Sequence, residues 1–440
     1  MAVEALVRWI PRRRAPAESV SLVDFDPTEF RPALKTRLLV LQPTPFCNID
    51  CDYCYLPGRD STARMSLATM RHAAERLLAD DLVGTQLTVV WHAGEPLTLP
   101  VSYYDAAITM LHEVLGTRCE LSHSIQTNAT LIDDAWCGLI KRHHIRIGVS
   151  VDGPADLHDA HRRTRGGRGT HARVVRGMAC LREHGIAFHA IAVVTPATFA
   201  QADAFFDFFE AQGVTELGCN FDEAEGAHLR SSLAGHEAAH AAFIARLLAR
   251  SRAPGARTRV RELATALHLI AEPLQMVEWR AHRWPENMQT LPFALVNIAH
   301  NGDFGSFSPE LLGQPSAEFD DFMFGNVERD GFFAAANGER FARVWRAIAR
   351  GVCACERSCT HFGYCGGGAP ANKLYENGDL GSTETLYCRT ALKRPFDAVL
   401  AQLERDVPAL AARAGAPARP KQGPTLPEGR LPYRASGEPS

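Results

Sequence analysis

Over the first half of the chain, short apolar runs alternate with longer stretches in which apolar residues recur every three to four positions. The short runs are too brief for core helices and are bounded by turn residues. They read as strands at 38–42, 86–91, 120–126, 145–151, 187–194 and 215–221. The periodic stretches at 66–80, 103–115, 133–142, 171–184 and 199–212 read as amphipathic helices with one face toward a core. Strand–helix units in series predict an α/β fold, a parallel sheet with right-handed crossovers that is left open or curved into an incomplete barrel. Functional groups in such sheets gather at the carboxyl ends of the strands.

A stretch from about 236 to 288 carries few turn signals and predicts a helical bridge. Residues 292–307 read as a hairpin, because Asn301-Gly302 between alternating runs is a strong hairpin signal. Cysteines crowd together from Gly351, and beyond about Ala411 a Pro-, Gly-, Ala- and Arg-rich composition predicts a disordered tail. The expected division is an N-terminal extension (1–35), a strand–helix domain (36–235), the bridge (236–288), a cysteine-rich domain (289–400) and the tail (411–440).

Composition narrows the partners. A chain of 440 residues with 46% apolar content can build a large core, and its net charge of -3 gives no polyanion-binding footprint, so nucleic acid is not an expected partner. No apolar stretch reaches membrane-spanning length, and MAVEALVRWIPRRR places apolar residues before the arginines, the reverse of a secretory signal. Twelve cysteines in such a chain predict thiols used as ligands in a reducing cytoplasm rather than disulfides.

Cys47, Cys51 and Cys54 lie in PTPFCNIDCDYCYLPGR, spaced C-x3-C-x2-C just past the first strand. Three thiolates in one loop can hold three irons of a [4Fe-4S] cluster and leave the fourth iron open to a small molecule. Structural zinc, the alternative, wants four closed ligands, and no fourth lies nearby in sequence. His92-Ala93-Gly94-Glu95-Pro96 follows the second strand; Gly94 lets backbone approach a ligand and Glu95 can accept from an ammonium, although such a loop is often only a turn. Ser124, Gln126, Thr127 and Asn128 end the third strand, and Ser150 and Asp152 the fourth, followed by His158 and Arg162. Hydroxyl or acidic acceptors there suit a ribose and a guanidinium suits a carboxylate, while Asp152-Gly153-Pro154 also fits a plain turn.

Cys355, Cys359, Cys365 and Cys388, spaced C-x3-C-x5-C-x22-C, suffice for a fully ligated second cluster or for a zinc ribbon, and Cys353 could replace Cys355. Asp222, Glu223 and Glu225 follow the sixth strand; desolvated in a closed cavity, one could accept a substrate proton, and a solvated acidic loop is the plainer alternative. Cys119, Cys137, Cys180 and Cys219 read as small buried hydrophobes, with Cys219 near a strand end.

The first cysteine spacing, Tyr53 before its last cysteine and the strand ahead of it resemble the radical S-adenosylmethionine superfamily. That resemblance implies a partial (β/α)6 TIM barrel whose open iron chelates the methionine moiety of S-adenosyl-L-methionine. HAGEP resembles the family's G-G-E-P motif, with Ala93 in place of the first glycine, and implies that Gly94 and Glu95 bind the methionine amino group. QTNA and SVDGP with HDAHR resemble segments of the peptide-modifying members. They assign Ser150, Asp152 and Arg162 to the cofactor site, with Tyr53, Ser124, Gln126 and Asn128 grouped beside them. CERSCTHFGYCGGGAPANKLYENGDLGSTETLYC resembles the C-terminal SPASM domain, which carries auxiliary clusters. The hairpin HNGDFGSFSPELLG offers no cysteine and Gly368 or its neighbours replace another, so the resemblance implies one auxiliary [4Fe-4S] cluster rather than two.

From about Leu38 to Leu392 the chain resembles the cyclophane-forming radical S-adenosylmethionine/SPASM peptide maturases of the GrrM/OscB type. QPTPFCNIDCDYCYLPGR, LTVVWHAGEPLTLPVSYYDAA, VSVDGPADLHDAHRRTR and FGSFSPELLG carry the match together with the C-terminal cysteine run. The implied substrate is a ribosomally made precursor peptide, such as a glycine-rich-repeat type, in which a β-carbon is joined to an aromatic ring. Asp222 or Glu223 is the expected proton acceptor and a flavodoxin or ferredoxin the expected reductant. A sulfatase-type maturase that makes formylglycine is the enzymatic alternative, and an iron–sulfur electron-transfer or peptide-binding protein the non-enzymatic one.

Overall fold

The computed structural model describes residues 35–279 and 282–414. The expected N-terminal extension lies outside the described residues apart from Lys35, as does the expected tail beyond residue 414. The chain divides into two compact units, and Arg14–Ala401 form the one that carries the site. Of the other, the described part is the helix end 402–414, where Gln402 Nε2 donates to Asp406 Oδ1 at 2.8 Å.

Six parallel strands follow one another in chain order: β1 Thr36–Leu41, β2 Val83–Trp91, β3 Glu120–Thr127, β4 Arg146–Ser150, β5 Phe188–Val194 and β6 Glu216–Phe221. Each neighbouring pair runs parallel, and the two-residue strand Arg259–Val260 extends the sheet beyond β6. Helices Leu67–Ala79, Val101–Leu115, Asp134–Arg142, His171–Glu183 and Ala202–Ala211 supply the crossovers. Capping explains their starts: Ser66 accepts from Thr69 N at 3.0 Å and Asp133 from Trp136 N at 3.0 Å. In Ala202–Ala211, Phe205, Phe206 and Phe209 are fully buried, each contributing about 1.5–3 kcal/mol.

Alternation along the strands separates two environments. In β3, His123, Ile125 and Thr127 are buried against the helices while Ser122, Ser124 and Gln126 face the other side, as the period of two requires. That second side is the lumen of an incomplete barrel, and polar residues there mark where a ligand enters.

The outer edge of β1 does not remain open. β7 Leu295–Ile298 pairs with it in parallel, Leu38 opposite Leu295, and then turns through Gly302 (φ 89°) into β8 Asp303–Ser306, which pairs with β9 Gly325–Asn326. The hairpin expected at Asn301-Gly302 is present, and it covers an edge that would otherwise expose unpaired backbone groups. The stretch expected as a helical bridge differs. It holds two helices, Glu237–Ser251 and Arg261–Ala271, and then an antiparallel ribbon of Met276–Trp279 with His282–Pro285. Gly255, at φ 86°, and Pro273 end the helical periodicity, which a pattern count over the whole stretch overlooks.

Beyond the hairpin, helix Glu339–Ser358 buries Phe341 and Trp345 against Phe307, whose ring stacks on Trp345 at 5.7 Å and 11°. This aromatic core presents the end of the helix, with its cysteines, toward the barrel mouth. No described helix is long and apolar enough to cross a membrane.

Candidate functional site

The loop after β1 is held at two points. Ile49–Cys51 pairs antiparallel with Arg162–Thr164, so that Cys51 lies opposite Arg162. Glu95 N donates to Phe46 O at 2.7 Å, which brings the loop after β2 directly onto the cysteine loop. Gly94 makes that approach possible: at φ 58°, a Cβ there would sit 2.4 Å from Phe46 O. Ala93 adopts φ 75° beside it, a left-handed conformation that strains a residue bearing a Cβ. Ala93→Gly is therefore expected to stabilise the protein by about 0.5–1 kcal/mol, read as a raised urea midpoint; an unchanged or lowered midpoint would show that Ala93 is unstrained.

Glu95 is fully enclosed and ties two loops together. Its carboxylate accepts from Leu97 N at 2.9 Å, Thr127 Oγ1 at 2.7 Å and Asn128 N at 2.7 Å. Burial pushes its carboxyl up to about 7, and the three donors limit the rise. Asn128 Nδ2 in turn donates to Asn48 Oδ1 at 2.8 Å and lies 4.0 Å from Cys47 Sγ.

Asp152 and Arg162 form a buried bidentate pair, Nε to Oδ2 at 2.9 Å and Nη2 to Oδ1 at 3.0 Å. Tyr53 Oη also donates to Asp152 Oδ2, and Val193 N donates to Oδ1 at 2.9 Å. Burial alone would raise the Asp152 carboxyl, but the Arg162 charge and these hydrogen bonds outweigh it and hold it below the usual carboxylate range. With its oxygens taken, Asp152 sits behind Arg162, whose Nη1 lies 4.0 Å from Cys51 Sγ.

A cavity of about 270 Å³ opens above these groups, lined by Cys47, Cys51, Cys54, Tyr53, Gly94, Glu95, Gln126, Asn128, Ser150 and Arg162. Gln126 Nε2 donates to Ser150 Oγ at 2.8 Å, joining β3 to β4 across its wall. Ser124 lies deeper in the lumen on the same face of β3, outside the lining, and so does Asp152.

The second cysteine set surrounds a larger cavity of about 610 Å³, lined by Cys355, Cys359, Cys365 and Cys388 and also by Cys219. Cys355 rather than Cys353 faces it, because the helix turns Cys353 aside. The glycine run after Cys365 makes the necessary sharp turn, Gly366, Gly367 and Gly368 all having positive φ, and Asn287 Nδ2 pins it by donating to the carbonyls of Cys365 and Gly368 at 2.9 Å each. Lys373 Nζ, buried, donates to Cys355 Sγ at 3.3 Å.

Sulfur spacing tests what these sets can hold. In neither do three sulfurs come within 4.8 Å of one another among the described residues. One tetrahedral zinc with 2.3 Å bonds requires about 3.8 Å between sulfurs. Both sets are wider than a single zinc requires, and their all-thiolate donors are of the type that ligates a four-iron cluster. Burial pushes the free Cys47 thiol up to about 11 and Cys51 to about 12, so ionising them calls for a cationic partner.

Glu223, Glu225, Glu310 and Asn220 line both cavities and form the wall between them. Asp222 is occupied elsewhere. Its carboxylate accepts from Ser232 N and Oγ at 2.6 Å each and from His228 Nε2 at 2.9 Å, which folds the following loop. Glu223 accepts from Asn372 Nδ2 at 2.7 Å; burial first, then Glu310 and Glu376, push its carboxyl well up. Glu225, Glu310 and Glu376 are raised for the same leading cause. Sequence reading passed over Glu310, Glu376, Lys373 and Asn287, although SPELLG and ANKLYE were on view; only the fold brings them together. At these carboxyls the native state binds more protons than the unfolded chain above about pH 4.5, so their contribution to stability is full below that value and is lost as pH rises toward 8. Buried His123, His158 and His240, held neutral, act in the opposite sense up to about pH 6.5, so the wall is read from the difference between wild type and Glu310→Gln, whose melting temperature should lose less, or gain more, across the window; equal slopes would show that the wall is solvated.

Residues 41–209 match the model of the Radical SAM superfamily. An uncharacterised protein of Synechocystis sp. is 36% identical over 394 residues, covering 88% of this chain and 96% of its own length. The serine-type anaerobic sulfatase-maturating enzyme of Klebsiella aerogenes is 33% identical over 204 residues, which is 46% of this chain and 50% of that enzyme. Among solved structures, native anSMEcpe with bound AdoMet and Cp18Cys peptide superposes with a TM-score of 0.68 at 18% identity, over 85% of this chain and 99% of that one. Streptococcus suis SuiB bound to precursor peptide SuiA gives 0.57 at 15% identity, over 80% and 76%. At those identities the likeness shows the fold.

Proposed function

The chain belongs to the radical SAM superfamily, and from that premise we propose that it is a peptide maturase joining a side-chain β-carbon of a precursor peptide to an aromatic ring of the same peptide. The family implies a four-iron cluster with S-adenosyl-L-methionine, which together supply a primary carbon radical for hydrogen abstraction. Cys47, Cys51 and Cys54 would hold that cluster. Gly94, Glu95, Gln126, Asn128, Ser150 and Arg162 would bind and orient the cofactor, with Tyr53 and Asp152 fixing Arg162.

One observation carries the proposal: the two cysteine-lined cavities share the glutamate wall. Closing a carbon–carbon bond onto an aromatic ring and restoring aromaticity removes one proton and one electron. Glu223, its proton affinity raised by burial, suits the proton. Cys355, Cys359, Cys365 and Cys388 would hold an auxiliary cluster as electron acceptor on the far side of that wall. The barrel lumen excludes water from the radical while Asn372 and the wall hold the peptide in register. The sequence resemblance supports a glycine-rich-repeat precursor and a flavodoxin- or ferredoxin-type reductant.

The sulfatase-type alternative draws on the Klebsiella match and the fold, but strands Leu295–Ile298 and Asp303–Ser306 carry no cysteine where that branch is expected to have one. A precursor whose core aromatic residue is replaced by Leu separates the steps. It should still provoke 5'-deoxyadenosine formation but gain no ring, because abstraction needs only the β-carbon and closure needs a π-system within reach. A modified product from the Leu peptide identical in mass change to that from the native one would overturn the proposal.

A further inference from the structure

On the outer side of the barrel, helices Asp134–Arg142 and His171–Glu183 bring a third set of ligand-type side chains together. Cys137 Sγ lies 3.6 Å from Cys180 Sγ, and both lie with a His184 ring nitrogen inside a 4.8 Å group. Cys180 was expected to be a buried apolar residue, but it is half-exposed and turned toward Cys137. Asp134 Oδ1 completes the corner, 2.8 Å from His184 Nε2 and 3.9 Å from Cys180 Sγ. The spacing within each helix explains the convergence: Cys180 and His184 stand four residues apart on one face, and Asp134 and Cys137 three apart on the facing one.

We propose that Cys137, Cys180 and His184 form a mononuclear zinc site, with Asp134 orienting the histidine or completing the tetrahedron. The 3.6 Å separation, a thiol–thiol hydrogen bond without an ion, is also one that a small ion can bridge: tetrahedral zinc places two thiolates about 3.8 Å apart and takes thiolate, imidazole and carboxylate ligands in such mixtures. The iron–sulfur sets are too open for this, whereas here the observed 3.6 Å already matches. Two observations show what the ion would secure. Gly177, on the same helix as Cys180, packs so closely on Ala129 O that a Cβ there would sit 2.2 Å from it. Ala129 adjoins Asn128, which lines the inner cavity. The ion therefore clamps the two helices that support the Asn128 loop from outside.

The test uses holoenzyme with its iron–sulfur clusters loaded, incubated anaerobically with a slight excess of zinc and desalted. Wild type should retain one zinc per chain beyond its iron, with two sulfurs at about 2.3 Å in zinc-edge X-ray absorption. Cys180→Ser and His184→Ala should lose the zinc while keeping full iron content, and Asp134→Asn should weaken zinc binding by about 10–100-fold. Circular dichroism melts confirm that each variant is folded when its zinc content is read. Failure of wild type to retain zinc, retention unchanged in Cys180→Ser, or a Cys137–Cys180 disulfide in the desalted protein would each overturn the proposal.

Discussion

Replacing Cys47, Cys51 and Cys54 with alanine is expected to abolish 5'-deoxyadenosine formation while the iron bound by Cys355, Cys359, Cys365 and Cys388 remains. The two sets belong to separate cavities and to separate parts of the chain, one in the loop after β1 and the other starting in the last turn of the long helix Glu339–Ser358 and continuing beyond it. Loss of one should leave the other folded. Iron should fall from about eight to about four per chain, since each cluster holds four. Residual cofactor cleavage in the triple variant would mean that the reaction centre lies elsewhere, and loss of all iron would mean that the sites are coupled.

Asp152→Ala is expected to destabilise the protein by about 3–5 kcal/mol, because it leaves the Arg162 guanidinium buried without its counter-charge. The side chains are 3% and 9% exposed, so water cannot substitute for the lost carboxylate. Tyr53 Oη and Val193 N lose their acceptor in the same step. Because Arg162 lies across from Cys51, the first cluster should load poorly as well. An Asp152→Leu/Arg162→Met double variant removes both charges and should recover much of the stability in urea unfolding. If it were as unstable as the sum of the single variants, the pair would not be the source of the effect.

The parallel sheet was legible because its signal is local. Every expected strand of the first six falls within three residues of an observed one, since apolar runs bounded by turn residues leave little choice of period. The cysteine sets were legible from spacing. The partners of these residues were not: Asp152 reads as a ribose acceptor on a strand end, and only the fold shows that Arg162, Tyr53 and Val193 already occupy it. Asp222 and Glu223 are adjacent in sequence and looked alike, and both line the smaller cavity, yet the Asp222 carboxylate is saturated by Ser232 and His228 while Glu223 also reaches the larger cavity. Glu310 meets them from a distant loop, just beyond strand Asp303–Ser306. Cys137 and Cys180 looked unrelated for the same reason, since nothing in a single sequence says which helices are neighbours.

The most direct measurement of the central claim is tandem mass spectrometry of a native precursor peptide after co-expression with the enzyme, combined with hydrazide capture. The expected product is lighter than the precursor by two hydrogens per ring, resists fragmentation between the joined residues and yields no aldehyde. A peptide that fragments normally and is captured by hydrazide at a Cys or Ser would contradict the account and establish formylglycine formation in its place.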